Sequence, residues 1–251
     1  DMTEALREKI KNGGAAYGTM VSIFDNPEIS RILKNSGCEW FFFDTEHGYA
    51  NIDRMYGMFG YAAMVGIPAL IRIPEVNKTE IFRALDMGAA GIVCPNVESV
   101  EQAKELVRLA KYAPLGERGV SLTRPHTSYQ RVSAPEYMEK ANRDTMLICQ
   151  MESPKGIDCL EDILQLEGVD GVLVGPNDLT CSMGIINQLD HPDYLANVER
   201  VFALCKKYNK IAGISGKDMK VLKYWESRGA QLLQWGTDVS LLMAKLKEGL
   251  C

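Results

Sequence analysis

Several apolar runs in this chain end on polar residues suited to chemistry. Trp40-Phe-Phe-Phe43 leads into Asp44-Thr-Glu46-His47, which puts two acids and an imidazole at one strand end. A carboxylate beside a histidine fixes its tautomer and raises its basicity, as a general base requires. The bland alternative is a histidine satisfied inside the fold. Arg72 interrupts the run Ala69-Leu-Ile-Arg-Ile-Pro74. A charge placed there must face something that satisfies it. Its planar fork suits a carboxylate or a developing enolate oxygen, or an ion pair within the protein. Two further runs end in Gln150-Met-Glu152 and in Gly175-Pro-Asn177-Asp178. Glu152 and Asp178 close neighbouring strands, so their carboxylates can converge on one divalent cation such as Mg²⁺ or Mn²⁺, completed by waters and substrate oxygens. The alternative makes Asp178 a helix cap and Glu152 a solvated acid. No histidine lies beside them, which disfavours zinc.

Other chemistries find less to rest on. A Schiff base needs a lysine buried at a strand end, and none of these runs ends in one. No G-x-x-x-x-G-K-[ST] stretch is present for a nucleotide. Gly236-Thr-Asp238 could greet a phosphate at a helix start, a weak signal. Of the three histidines, His191 precedes Pro192 and reads as a surface cap, while His126 lies in a long loop and is open to either binding or exposure. Asp86 reads as a surface acid near a helix end. What remains is metal-assisted chemistry on a small oxygen-rich anion, with Arg72 as oxyanion partner and His47 as base.

These residues need a scaffold that brings eight strand ends together. Candidate strands are 16–23, 39–44, 69–73, 91–93, 146–151, 171–174, 212–214 and 232–234. Runs such as Val172-Leu-Val174 have no wet face, as strands of a helix-covered parallel sheet require. Between them lie amphipathic stretches, clearest at 98–112, where Val100, Ala103, Leu106, Val107 and Ala110 share one face. Eight alternations of strand and helix predict a (β/α)8 TIM barrel in a single domain, 1–251. An open doubly wound sheet is the competing topology, but no Gly-rich turn follows the first strand. The segment 113–135 breaks the rhythm as a long loop, a length often associated with function.

Composition agrees. A chain of 251 residues with 46% hydrophobic content is long enough to bury one large core. A net charge of −5 argues against nucleic acid as a partner. No run approaches the roughly 20 apolar residues that span a bilayer, so no membrane partner is expected. Seven cysteines without a C-x-x-C pair, and a charged N-terminus without an apolar signal region, point to the cytoplasm.

Taken together and in order, six segments resemble the HpcH/HpaI aldolase family of metal-dependent pyruvate aldolases. They are Phe43–Gly48, Arg72-Ile-Pro74, Leu85-Asp86-Met-Gly88-Ala89, Gly116-Glu-Arg118-Gly119, Gln150-Met-Glu152 and Gly175-Pro-Asn177-Asp178-Leu179. The resemblance implies a retro-aldol cleavage of a 4-hydroxy-2-oxoacid to pyruvate and an aldehyde through a metal-stabilised enolate. It implies that His47 is the base, that Asp86 raises its basicity through a hydrogen bond, and that Arg72 stabilises the transition state. Glu152 and Asp178 would hold Mg²⁺, Mn²⁺ or Co²⁺. Gln150 and the backbone at Asn177 would contact the pyruvate part, with Asp44 and Glu46 in support. It also implies a homo-oligomer, a hexamer built as a trimer of dimers.

Two features depart from the family pattern, Asn96 after Pro95 and the stretch Ser121–His126 in the long loop. The loop should meet the aldehyde half, so the aldehyde stays open, as does the metal. A citramalyl- or malyl-CoA-type lyase on a related barrel is the alternative enzyme, and a non-catalytic keto-acid-binding barrel the alternative of another class. The final stretch, 239–250, carries Leu241, Leu242, Met243, Leu246 and Leu250. That is more apolar surface than a solvent-facing terminal helix needs, and it predicts exchange or packing against a neighbouring subunit.

Overall fold

Eight short parallel strands close on one another in chain order, the first pairing with the last. They are β1 (Ala16–Val21), β2 (Trp40–Asp44), β3 (Ala69–Arg72), β4 (Gly91–Cys94), β5 (Met146–Met151), β6 (Gly171–Val174), β7 (Ile211–Gly216) and β8 (Leu232–Thr237). The helices are α1 (Met2–Lys11), α2 (Ile29–Asn35), α3 (Met58–Val65), α4 (Lys78–Asp86), α5 (Val100–Ala110), α6 (Ala134–Asp144), α7 (Pro154–Asp158), α8 (Leu160–Leu164), α9 (Pro176–Ser182), α10 (Pro192–Lys207), α11 (Met219–Glu226) and α12 (Asp238–Leu250). This computed structural model describes residues 2–48, 52 and 55–250, so the expected limits at Asp1 and Cys251 lie outside the described residues. The predicted TIM barrel is the observed fold, in one domain, and all eight expected strands are present. No helix among the described residues is long and apolar enough to cross a membrane.

Side chains alternate across each strand, and that period of two builds both cores and the site. One set points outward under the helices: Phe41, Phe43, Ile71, Cys149 and Val172 belong to the outer core. The other set fills the barrel: Trp40, Phe42, Leu70, Ile148, Leu173 and Leu232. Continuing the inward series by two residues gives Asp44, Arg72, Gln150 and Gln234, all buried. A dry floor therefore lies directly beneath a polar rim. Gly18 makes room for the floor, since a Cβ there would sit 2.7 Å from the Trp40 indole. Leu6 and Ile10 of α1 close the opposite end.

Some boundaries moved for identifiable reasons. The first strand stops at Val21 because the next backbone N–H groups turn to Asp238: its carboxylate accepts from the N–H of Ser22, Ile23 and Phe24. Asp238 thus supplies the anion at this turn itself, which removes the phosphate reading of Gly236-Thr-Asp238. His191 is the N-cap of α10, as expected, accepting from the Asp193 N–H. Within one chain the long loop does not line the strand-end cleft where it was expected to meet the aldehyde half; its Arg118 and His126 lie against Asp86 at the end of α4. The His126 side chain is only 4% exposed, its Nε2 3.0 Å from the Ser121 carbonyl and its Nδ1 against the Tyr137 hydroxyl.

Lys111 ties the start of that loop to the end of α6. Its buried ammonium donates to the carbonyls of Asn142 (2.7 Å) and Thr145 (2.5 Å). Burial pushes its pKa down to about 8, against the attraction of Asp170. The folded state therefore sheds this proton before the unfolded chain does, so Lys111 contributes more stability as pH rises from about 8 toward 10.5. Lys111→Met, which removes both donors, should cost about 1–3 kcal/mol. In denaturant titrations the gap to wild type should widen through that pH window.

Candidate active site

The C-terminal ends of the strands enclose a cleft of about 370 Å³. Asp44, His47, Arg72, Gln150, Glu152 and Asp178 all line it, and Asn177 does too. Residues spread over more than a hundred positions thus meet where barrel enzymes keep their chemistry.

Arg72 is the best-anchored group. Asp44 faces it directly across the β2–β3 ladder. Nε donates to Asp44 Oδ1 at 2.9 Å and Nη2 to Asp44 Oδ2 at 2.8 Å, a bidentate pair. Nη1 lies 3.5 Å from Gln150 Oε1 on the cleft side. Burial opposes the guanidinium charge, but Asp44 and then Glu46 outweigh it and raise its pKa. The two readings open at the sequence level hold together, since the arginine is ion-paired and also lines the cleft.

Asp44 organises the residues after it as well. Its Oδ1 accepts the N–H of Glu46 at 3.0 Å and, more weakly, that of His47 at 3.4 Å. Glu46 turns back so that Oε2 is 3.3 Å from Arg72 Nε and Oε1 is 3.8 Å from His47 Nε2. His47 itself is 73% exposed at the cleft mouth.

Glu152 is the buried acid. Oε1 accepts from the Gln150 side chain at 3.1 Å and Oε2 from the Asn96 N–H at 2.9 Å. Burial pushes its pKa up to about 7; the Asn96 N–H and Arg72 pull it down, while Asp178 and Glu46 push it higher. Asp178 stands exposed in the first turn of α9 and makes no cap bond; Gly175 is the N-cap. Like charges converging here are what a cation relieves, so the pair fits a divalent ion. Among the described residues no group of three or more His, Cys, Asp or Glu could hold a metal. A two-carboxylate site must therefore draw its other ligands from water and substrate.

Asp86 is elsewhere. It closes α4, which runs back toward the strands' N-terminal ends, away from His47. There Arg118 Nη2 donates to its Oδ1 at 2.8 Å, and His126 Nε2 is 3.7 Å from the same oxygen. The expected hydrogen bond between His47 and Asp86 is not made among the described residues, and Glu46 is the acid beside the imidazole. Sequence reasoning also passed over Gly175. A Cβ there would meet Glu152 Oε1 at 2.6 Å, so only glycine leaves the carboxylate its place. The Gly-Pro-Asn-Asp run carried that signal, unread.

Fold and cleft together define a (β/α)8-barrel enzyme with its acids, arginine and histidine at the strand ends. The chain belongs to the HpcH/HpaI aldolase/citrate lyase family, which matches residues 20–244. It is 31% identical to the hydroxypyruvate/pyruvate aldolase of Pseudomonas aeruginosa, over 97% of this chain and 90% of that one. It is 31% identical to the 5-keto-4-deoxy-D-glucarate aldolase of Klebsiella pneumoniae, over 84% and 79%. Among solved structures, an HpcH/HpaI aldolase from Desulfitobacterium hafniense superposes with a TM-score of 0.93 at 34% identity, covering 98% of this chain and 95% of that one.

Gly175→Ala should displace the Glu152 carboxylate while leaving the barrel folded. Supporting residues of this kind typically cost 10- to 100-fold in metal affinity or activity, roughly the loss expected here. Mn²⁺ titration alongside far-UV circular dichroism checks it; native Mn²⁺ affinity in the variant would show that the contact is slack.

Proposed function

We propose that this chain is a class II aldolase that reversibly cleaves a 4-hydroxy-2-oxoacid to pyruvate and an aldehyde. One observation carries the reading: Arg72, with two of its nitrogens taken by Asp44, turns its third into a cleft that also holds Glu152 and Asp178. The two aldolase relatives are named for different substrates, which supports the reaction class and leaves the aldehyde open.

Glu152 and Asp178 would hold a divalent ion, Mg²⁺, Mn²⁺ or Co²⁺, which when bound supplies Lewis acidity at the 2-oxo group. Gln150 and Asn177 orient the oxoacid end. His47 takes the proton of the C4 hydroxyl at the cleft mouth. The C3–C4 bond then breaks, its electron pair passes to C3, and the aldehyde leaves. Arg72 Nη1 faces the oxygen on which negative charge develops, and Asp44 keeps the guanidinium from turning away. Protonation at C3 completes pyruvate. Wild type should exchange the methyl protons of pyruvate in D₂O with added divalent ion and lose this in excess EDTA. Arg72→Lys should lower both exchange and cleavage by about 10²–10³-fold, because the ammonium cannot reproduce the fork. Pyruvate binding without exchange would instead favour the non-catalytic barrel, and full activity in EDTA would remove the metal from the scheme.

The same reading takes the protein as a homo-oligomer. Of α12 only Asp238 is buried, while Leu242, Met243 and Leu246 are about half exposed. Beside it a groove of about 970 Å³ runs between α2 and α11, lined by Phe24, Ile29, Ile32, Leu33 and Met219. A second copy's α12 supplies an apolar helix to cover it. Assembly also answers the separation of His47 from Asp86, since a contact denied within one chain is open between two. The double substitution of Leu242 and Leu246 by Glu should shift the mass measured by light scattering to that of a monomer. A wild-type monomer at micromolar concentration would exclude the exchange.

A further inference from the structure

Asn96 follows β4, between the buried Pro95 and Val97, with a backbone φ of +50°. Residues with a Cβ rarely adopt that conformation, and asparagine does so more readily than most. From it the residue reaches two acids at once. Its N–H donates to Glu152 Oε2 at 2.9 Å, and its Nδ2 donates to Glu46 Oε1 at 3.3 Å. Its own carbonyl accepts from Gln102 Nε2 at 3.5 Å. The Glu46 oxygen it holds is the one beside His47 Nε2, while the other oxygen faces Arg72. A neutral donor thus bridges two carboxylates that repel each other, one from each half of the cleft.

We propose that Asn96 is a positioning residue: it fixes the Glu46 carboxylate beside the His47 imidazole and keys both to the backbone that holds Glu152. An apolar side chain at this position has neither the donor nor the tolerance for positive φ. The inference rests on the aldolase reading only where its test uses turnover.

Three measurements on the full chain test it. Asn96→Gly removes the amide but keeps the N–H and the backbone conformation, so Mn²⁺ affinity and Tm should stay at wild-type values. In protein labelled with ¹⁵N-histidine, the ring signals of His47 should shift while those of His126 and His191 do not. Pyruvate methyl exchange should fall about 10- to 100-fold, the usual cost of losing a supporting hydrogen bond. Glu46→Gln should shift the same His47 signals. The double variant should be no slower than the slower single variant, because both changes break one connection. Asn96→Asp, which sets a third carboxylate against Glu46 and Glu152, should perturb His47 at least as strongly. Unshifted His47 signals in Asn96→Gly, or losses that multiply in the double variant, would overturn the proposal. If wild type shows no exchange, the aldolase reading fails, and the histidine signals still decide the role of Asn96.

Discussion

The ion pair between Asp44 and Arg72 is the interaction on which the rest of the cleft depends. Neither charge could sit inside a barrel wall alone, because desolvation would cost more than any single contact returns. Strand register places them opposite each other, and the bidentate fork then removes the arginine's freedom to swing. Two consequences follow from one contact. Arg72 has only one nitrogen left for the cleft, and its direction is set. Asp44 has lone pairs left over, which gather the N–H groups of Glu46 and His47 and shape the turn that presents them.

Around that pair the cleft is overloaded with acid. Asp44, Glu46, Glu152 and Asp178 stand against one arginine, a surplus of three negative charges when all are ionised. Glu46 and Glu152 are both pushed upward, chiefly by burial; Asp178 adds to this in each, against Arg72 and His47 at Glu46 and against the Asn96 N–H and Arg72 at Glu152. An anionic oxoacid would meet repulsion in such a place. A divalent cation held by Glu152 and Asp178 would cancel two of those three charges and give an anion a direct partner. Charge balance therefore supports a metal here, independently of the family.

Much of this was readable from residue order, and the parts that were not share a cause. The strands were legible because apolar runs on both faces have few other uses. The acids and Arg72 were legible because they continue the inward alternation of runs that are otherwise dry. Gly175 was not, and Asn96 stood out only as a departure from the family pattern, since each matters through acids distant in sequence, Glu152 for Gly175 and Glu46 with Glu152 for Asn96, whose proximity no local pattern encodes. Asp238 misled for the same reason. Its position at a helix start resembled a place for a bound anion, when its carboxylate was already spent on the β1 turn. Asp86 was expected beside His47 on the strength of a family motif, and a motif carries a role without saying which copy of the chain fills it.

The opposite ends of the barrel make that last distinction physical. Helices return the chain to the strands' N-terminal side, so the end of α4 cannot reach the mouth of its own barrel. At that end Asp86 has one oxygen held by Arg118, whose guanidinium stacks 4.6 Å from the centre of the Tyr112 ring. Tyr112 is fully buried, so this support is rigid. Among the described residues Oδ2 has no hydrogen-bond partner, and the side chain is 24% exposed. In the proposed assembly this carboxylate, braced on one side only, would serve a group outside its own subunit. The His47 imidazole, mostly exposed and beside Glu46, is the corresponding open group at the other end. On the proposed reading the acid–base pair is divided between the two ends of the barrel, so turnover would depend on assembly, with the uncovered face of α12 supplying the apolar area for it.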